Sequence, residues 1–489
     1  MVSGNFDPSM ILAILPEISL LGLGLILLLF DLFLPKEHHD KLGWVTAGGL
    51  ALIIGVSLLV ARPKGEIYHT FVFGSMLRHD WMGFTFKMIF MFSAAITAMF
   101  VMEMESVGKR GEFYLLMLAS TLGMCLMSSA ADLIMLYLAI ETTSIPLYIL
   151  AGFMTDNDKS TEAGFKYLLF GAMTSAILLY GFSLLYGFTG STDIYKISEA
   201  ILLGRVPTVV TFGALILVII GFAFKISAVP MHFWAPDVYE GAPTPVAGFL
   251  STASKAAGFS VLLRVLLIAF PMILPYWSAF IVAISTLTMT VGNLLALTQK
   301  NIKRMLAYSS IAHAGYALIG LGSITYDSFF GMSSVVFYLI AYVVTNLAAF
   351  GAVATFSKVS GSDDISAYAG LSRRSPTLAL IMLVAFLSLA GMPPFGGFVV
   401  KFVVFAAAVQ ANLIWLAVVG VLNSIIGLYY YLSVLKVVYL YRSEEEEKPL
   451  PIPRPYGLAL GVLVVGILVI GIVMSPWMDI SIGAVTSLF

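Results

Sequence analysis

The 489-residue chain has a single cysteine, Cys125. One thiol makes no intrachain disulfide and falls short of the about four thiolates that hold an iron–sulfur cluster. No Cys-x-x-Cys-His stretch is present to attach a haem. No Gly-x-Gly-x-x-Gly follows a strand-like run, so the dinucleotide fingerprint is missing as well. Charge is equally scarce. Asp, Glu, Lys and Arg make up 11% of the residues, against about 25% in a soluble chain. The formal net charge of −1 implies neither a polyanion partner nor electrostatic steering. With 60% hydrophobic residues, above the roughly 45–50% of soluble domains, these shortages exclude a soluble enzyme, a disordered chain and a nucleic-acid-binding protein. Residues 1–10 carry no cation, so no cleavable signal peptide is expected.

What the chain has instead is long apolar runs. A membrane-crossing helix needs about 20 mostly apolar residues. Such runs lie near 10–34, 42–61, 81–102, 113–129, 131–153, 163–188, 208–229, 244–270, 274–298, 304–322, 329–356, 376–408, 412–440 and 456–477. The expectation is an all-α, polytopic membrane protein with about fourteen spans, forming one membrane domain over 1–489. Alternation of polar and apolar residues, the mark of a barrel, is absent. Lysine and arginine concentrate in the loops after odd-numbered spans, such as Lys109, Arg110, Lys300, Arg373 and Arg374; the loops after even-numbered spans carry only Arg62, Lys64, Arg78, Lys196 and Arg205. By the positive-inside rule both termini face away from the cytoplasm. The Glu444–Glu447 run reads as a solvated cytoplasmic loop.

Two spans carry conspicuous breaks, 224–236 around Pro230 and 389–401 around Pro393 and Pro394. Proline lacks an N–H and displaces the carbonyl four residues earlier. Pro230 therefore frees the carbonyl of Ile226, and Pro393 and Pro394 free those of Leu389 and Ala390. In lipid such groups need a partner. The breaks recur at matching places in spans 4–8 (113–270) and 9–13 (274–440). Five spans is an odd number, so a second copy inserts upside down. Paired interrupted spans in two halves mark inverted repeats of the transporter kind, with the binding site at the breaks. The plainer reading is that prolines only kink helices; a lysine beside each break favours function.

Seven cations fall within or near spans: Lys87, Lys166, Lys225, Lys255, Arg264, Lys401 and Lys436. Arg264 and Lys436 are expected to snorkel from span ends and are given no role. Glu141 sits mid-span, one residue before the Thr142 carbonyl that Pro146 frees. Lys225 precedes the first break and Lys401 follows the second. Ser251, Lys255 and Gly258 share a helical face at i, i+4 and i+7. Each ionised group at the bilayer centre costs about 2.5–3.5 kcal/mol on insertion scales unless it pairs or meets water. Burial disfavours an ammonium and a nearby carboxylate favours it, so a lysine moved between those settings releases and recaptures a proton. The expected proton sites are Glu141 paired with Lys225, then Lys255, then Lys401. Static ion pairs between helices are the plain alternative. For Lys166, near a span start, both readings stand. They also stand for His232 and His313: a satisfied structural histidine, or a proton relay whose ordinary pKa lies nearest neutrality.

The stretch from Lys225 to Val246, continuing into 249–255, resembles the antiporter-like membrane subunits of respiratory complex I (NADH–quinone oxidoreductase), the subunit N family in particular. Residues 165–172, 301–316 and 391–398 carry the same likeness, which covers roughly 10–480. The resemblance implies fourteen helices with inverted repeats at helices 4–8 and 9–13, and kinship with multi-component sodium/proton antiporters. It implies a proton-translocating subunit of the complex's membrane arm, embedded in the bilayer of a bacterial cytoplasmic membrane among other antiporter-like and small helical subunits. No cofactor is expected on this chain; NAD, FMN, iron–sulfur clusters and quinone are implied in partner subunits. The family's helix-5 carboxylate, helix-7 and helix-8 lysines and helix-12 ionisable residue fall on Glu141, Lys225, Lys255 and Lys401, and its helix-6 lysine on Lys166. The sister family with glutamate in helix 12 differs here, where this chain has Lys401. The sister family with a long lateral helix differs too, since this chain stops after span 14. The alternatives are a subunit of a cation/proton antiporter without a redox partner, the counterpart of this family in a plastid or cyanobacterial NAD(P)H dehydrogenase-like complex, and a passive scaffold.

Overall fold

A computed structural model describes residues 9–65, 69–104, 106–325, 328–443 and 448–488. The acidic run at 444–447 lies outside them. Among the described residues, twelve helical stretches are long and apolar enough to cross a membrane, from Leu15–Phe33 to Arg454–Ile472. Ile302–Gly322 is as long as several of these but less apolar, with Ser309, Ser310 and His313 in its middle. The apolar helices Pro376–Ala390 and Gly396–Gln410 follow one another across the second break. Together they make fourteen passes of an all-helical bundle among the described residues. Side-chain oxygens close several helix starts: Asp132 accepts from the backbone N–H of Ile134 and Met135, and Asn301 from those of Lys303 and Arg304.

Hydropathy does not distinguish the centre of this bundle from its rim, because lipid is as apolar as a core. The helices differ greatly in burial. Thr244–Ala269 and Phe330–Ser360 are enclosed almost all round, whereas Leu15–Phe33 and Asp158–Thr189 expose most of their apolar surface. Small residues mark where helices touch. A Cβ at Gly292 would lie 2.6 Å from the Ala312 backbone nitrogen. Gly292→Val is therefore expected to force the hairpin of Leu274–Ala296 and Ile302–Gly322 apart, at about 1–3 kcal/mol. The check is a lowered melting temperature of the assembled protein.

Both breaks are present. Helix Thr208–Lys225 stops at Lys225, passes through Ser227 in the left-handed region (φ 57°), and resumes as Trp234–Gly241. Helix Pro376–Ala390 stops at Gly391 (φ 85°) and resumes at Gly396. Helix Leu133–Ala151, by contrast, runs on through Pro146.

One end of the bundle carries features that hydropathy does not reveal. An antiparallel hairpin, His69–Val72 with Leu77–Asp80, precedes the third span. Isolated bridges Leu77–Ala130 and Asp132–Asp193 gather further loops at this end. Here Arg264 departs from expectation. It does not snorkel: it is 1% exposed and donates to both Asp80 carboxylate oxygens at 2.7 and 2.9 Å. Arg78 adds its Nε at 3.1 Å and also donates to the Ser487 carbonyl at 2.6 Å, tying in the last helix, Ser475–Thr486. A buried carboxylate outweighs snorkelling because it supplies the hydrogen bonds that water would otherwise give the guanidinium. Lys87 is likewise interior, paired with Glu17 at 2.8 Å. Lys436 is exposed beside the Tyr441 ring, as a snorkelling side chain should be.

Candidate functional site

Four ionisable side chains and one histidine lie along the middle of the bundle, each joined to a neutral polar partner. Glu141 is half-buried on Leu133–Ala151. Its helix turns Ile134, Leu138 and Ile145 outward on the neighbouring face. Its Oε1 accepts from the Ser175 hydroxyl of Asp158–Thr189. Lys225, 6% exposed at the end of its helix, donates to the Ser144 hydroxyl. The expected direct Glu141–Lys225 ion pair is thus not formed. Residues three apart on a helix sit about 60° round from each other. Ser144 faces Lys225, while Glu141 turns away toward Ser175.

Lys255 follows a π-helical turn, Leu250–Ser254, of the kind often found at functional positions. Its Nζ donates to both the carbonyl and the hydroxyl of Ser310, each at 2.8 Å. The π turn alters the face inferred from regular spacing. Ser251 accepts from Asn346 Nδ2 at 2.6 Å, Lys255 meets Ser310, and Gly258 packs on Ile226 and Lys225. The three residues meet three different neighbours. The packing at Gly258 is close: a Cβ there would lie 3.2 Å from that of Lys225. Between Lys225 and Lys255, the buried Ser227 hydroxyl has no hydrogen-bond partner; the Tyr239 hydroxyl lies near Ser227 and Ser310 without ordinary hydrogen-bond geometry. Buried polar groups of this sort are commonly satisfied by ordered water.

Helix Ile302–Gly322 links the two halves of the row. Ser310, His313 and Tyr316 stand at i, i+3 and i+6, on adjoining turns. Ser310 receives Lys255. His313 Nδ1 lies 2.7 Å from the Tyr338 hydroxyl and Nε2 3.4 Å from that of Tyr431, which also meets Ser309. A cavity of about 10 Å³ adjoins His313, Tyr338, Thr345 and Ser388, at the lower limit for one water. Tyr316 presents its ring 4.8 Å from Lys401 Nζ. Lys401 donates to the carbonyls of Leu389 (2.9 Å) and Ala390 (3.1 Å) and to Ser424 Oγ (2.9 Å). These are the two carbonyls that Pro393 and Pro394 were expected to free.

Two candidates lie off this row. Lys166 is one-third exposed and pairs with Glu162 and Asp237 at 2.6 Å each. Arg304 bridges Asp237 and Glu240, and Lys159 joins Glu240, in a charge network at the end opposite the hairpin. His232 is buried within the first break, its Nδ1 without a hydrogen-bond partner. The neutral members of the row, Ser144, Ser175, Ser310, Tyr316, Tyr338, Ser424 and Tyr431, escaped sequence reasoning because hydroxyls are common in spans. The three-residue spacing of Ser310, His313 and Tyr316 was the available signal. Asp237 and Glu240 stood within the family-like stretch but were assigned nothing. Among the described residues, no three His, Cys, Asp or Glu side chains converge as metal ligands.

Comparison with known proteins adds to this geometry. The family described as NADH:quinone oxidoreductase/Mrp antiporter transmembrane region matches residues 130–427. NADH-quinone oxidoreductase subunit N of Moorella thermoacetica is 42% identical over 475 residues, covering 97% of this chain and 98% of that protein. A chain of respiratory complex I from Thermus thermophilus superposes with a TM-score of 0.79 at 35% identity, over 95% of this chain and 98% of that one. A chain of the Mrp complex from Dietzia sp. superposes with a TM-score of 0.82 at 19% identity, over 99% and 98%, a likeness of fold alone.

Proposed function

The chain belongs to the subunit N family of NADH-quinone oxidoreductase, and on that premise we propose that it moves protons across the membrane along Glu141, Lys225, Lys255 and Lys401. As an integral membrane part of complex I it has other subunits of that complex for partners. In this reading those partners include antiporter-like and small helical subunits. NAD, FMN, iron–sulfur clusters and quinone reside elsewhere in the assembly, and electron transfer there drives the protons here. The membrane is the bacterial cytoplasmic membrane, with both chain ends on its non-cytoplasmic side. Residues 113–270 and 274–440 act as two inverted repeats, each contributing one broken helix.

The observation that supports this reading is the polar side of Ile302–Gly322, which sets Ser310 against Lys255, Tyr316 against Lys401 and His313 at the helical position between them. His313 acts there as a relay. Lys166 and His232 have no bond to the row and stand outside the proposed path. One charge moved against 100 mV needs about 2.3 kcal/mol, which shifts in lysine basicity and hydration must supply. The test is the proton-to-electron ratio of the assembled complex in sealed inverted vesicles. Lys225→Ala is expected to lower that ratio. A wild-type ratio in an assembled Lys225→Ala complex would leave the chain a passive scaffold.

A further inference from the structure

Lys401 differs from an ordinary buried lysine in the company it keeps. Among the described residues no carboxylate lies within ion-pair distance of it; its partners are two backbone carbonyls, one hydroxyl and an aromatic face. The carbonyls of Leu389 and Ala390 close helix Pro376–Ala390, so they stand at the negative end of its dipole. They point at Lys401 because the chain turns away at Gly391. A side chain at Gly391 would crowd the lysine, its Cβ lying 2.8 Å from Cδ and 3.3 Å from Nζ. Ser424 Oγ donates its own hydrogen to the Ala390 carbonyl at 3.3 Å, which leaves its lone pairs for the ammonium. Asn293 Nδ2 holds the Tyr316 hydroxyl at 2.9 Å and so steadies the ring that faces Nζ.

We propose that these groups form a cradle for a monovalent cation, and that Lys401, as a tethered cation filling it, keeps free metal ions out of the proton path. Unwound carbonyls at half-helix ends are recurrent cation sites in membrane transport proteins. A cluster of carbonyl oxygens replaces the hydration shell of an ion of matching size. The oxygens stand 2.9–3.1 Å from Nζ, beyond the about 2.0–2.6 Å that Mg²⁺ and Ca²⁺ require. A large, weakly hydrated ion of ammonium size fits, which favours K⁺ over Na⁺. The inference gives Lys401 a selectivity role within the proton-transfer reading, and its test is independent of pumping.

The purified complex carrying Lys401→Ala or Lys401→Met is melted in choline, sodium and potassium chloride at equal ionic strength. The wild type is expected to melt alike in all three. The alanine variant, its cradle opened, is expected to melt higher in KCl than in choline by about 2–4 °C, with a smaller gain in NaCl. The methionine variant, whose apolar tip fills the space, is expected to show no gain. An alanine variant indifferent to K⁺ overturns the cradle, as does one that assembles in no salt while the methionine variant assembles. Proton translocation measured on the same samples separates the two ideas. Lost pumping without a K⁺ effect sinks only the cradle; retained pumping in both variants sinks only the proton role.

Discussion

Lys255→Ala is expected to slow proton translocation by the assembled complex by about two orders of magnitude. Lys255 is 2% exposed, and its ammonium makes two hydrogen bonds to Ser310. Without its ammonium a proton must stand unsupported at that depth, at about 2.5–3.5 kcal/mol. Each 1.36 kcal/mol is about tenfold in rate. Electron transfer from NADH to a soluble acceptor, which bypasses the membrane arm, should be unchanged. Lys166→Ala is the matched control. It removes a lysine from a partly exposed charge network rather than from the row, and pumping should stay within about twofold, the weak effect typical of ion pairs near the surface. The acid-quench of a pH-sensitive dye in inverted vesicles measures both. Equal losses in the two variants would contradict the path.

The second large effect concerns assembly. Asp80→Asn leaves two guanidiniums, Arg78 and Arg264, buried without their carboxylate. Removing one partner of a buried pair typically costs about 3–5 kcal/mol. The yield of assembled complex and its melting temperature should both fall sharply, while Asp80→Glu, if it reaches the same donors, should recover part of the loss. Normal yield and melting in Asp80→Asn would show that the clasp contributes little.

The same end of the bundle sets an acid limit. Burial alone would raise the Asp80 pKa, but the charge and hydrogen bonds of Arg264, then Arg78 and the Gly83 N–H, hold it below its ordinary 3.8. A carboxylate depressed in this way contributes stability above its ordinary value, lost as pH falls through the lower folded one. His79 acts earlier. Burial, helped by the Lys87 charge, lowers it from 6.5 to about 4. The unfolded chain therefore takes up a proton that the folded one refuses, and stability declines as pH drops from 6.5 toward 4. His79→Gln should flatten that part of the melting-temperature profile and leave the steeper fall below the ordinary carboxylate value in place.

The residues of the row were legible in unequal measure. Glu141, Lys225, Lys255 and Lys401 stood out because ionisable groups are rare and costly in spans. The Leu389 and Ala390 carbonyls followed from proline chemistry alone, and Lys401 takes both. The partners did not follow. Glu141 faces Ser175 rather than Lys225, and the π turn before Lys255 redirects Ser251 toward Asn346. No regular helical spacing anticipates either.

By itself the amino-acid order determined the medium, the number of crossings, the two breaks and the position of each charge along its span. Hydropathy and proline act along the chain and read out position along the bilayer normal. Only the tertiary structure decided direction around each helix. It turned Arg264 inward to Asp80, left Lys166 at the rim, and set Ser310, His313 and Tyr316 between two lysines. In an apolar solvent the lipid-facing and core-facing sides of a helix look alike. Their distinction arises from close packing and hydrogen-bond partners contributed by segments distant in the chain.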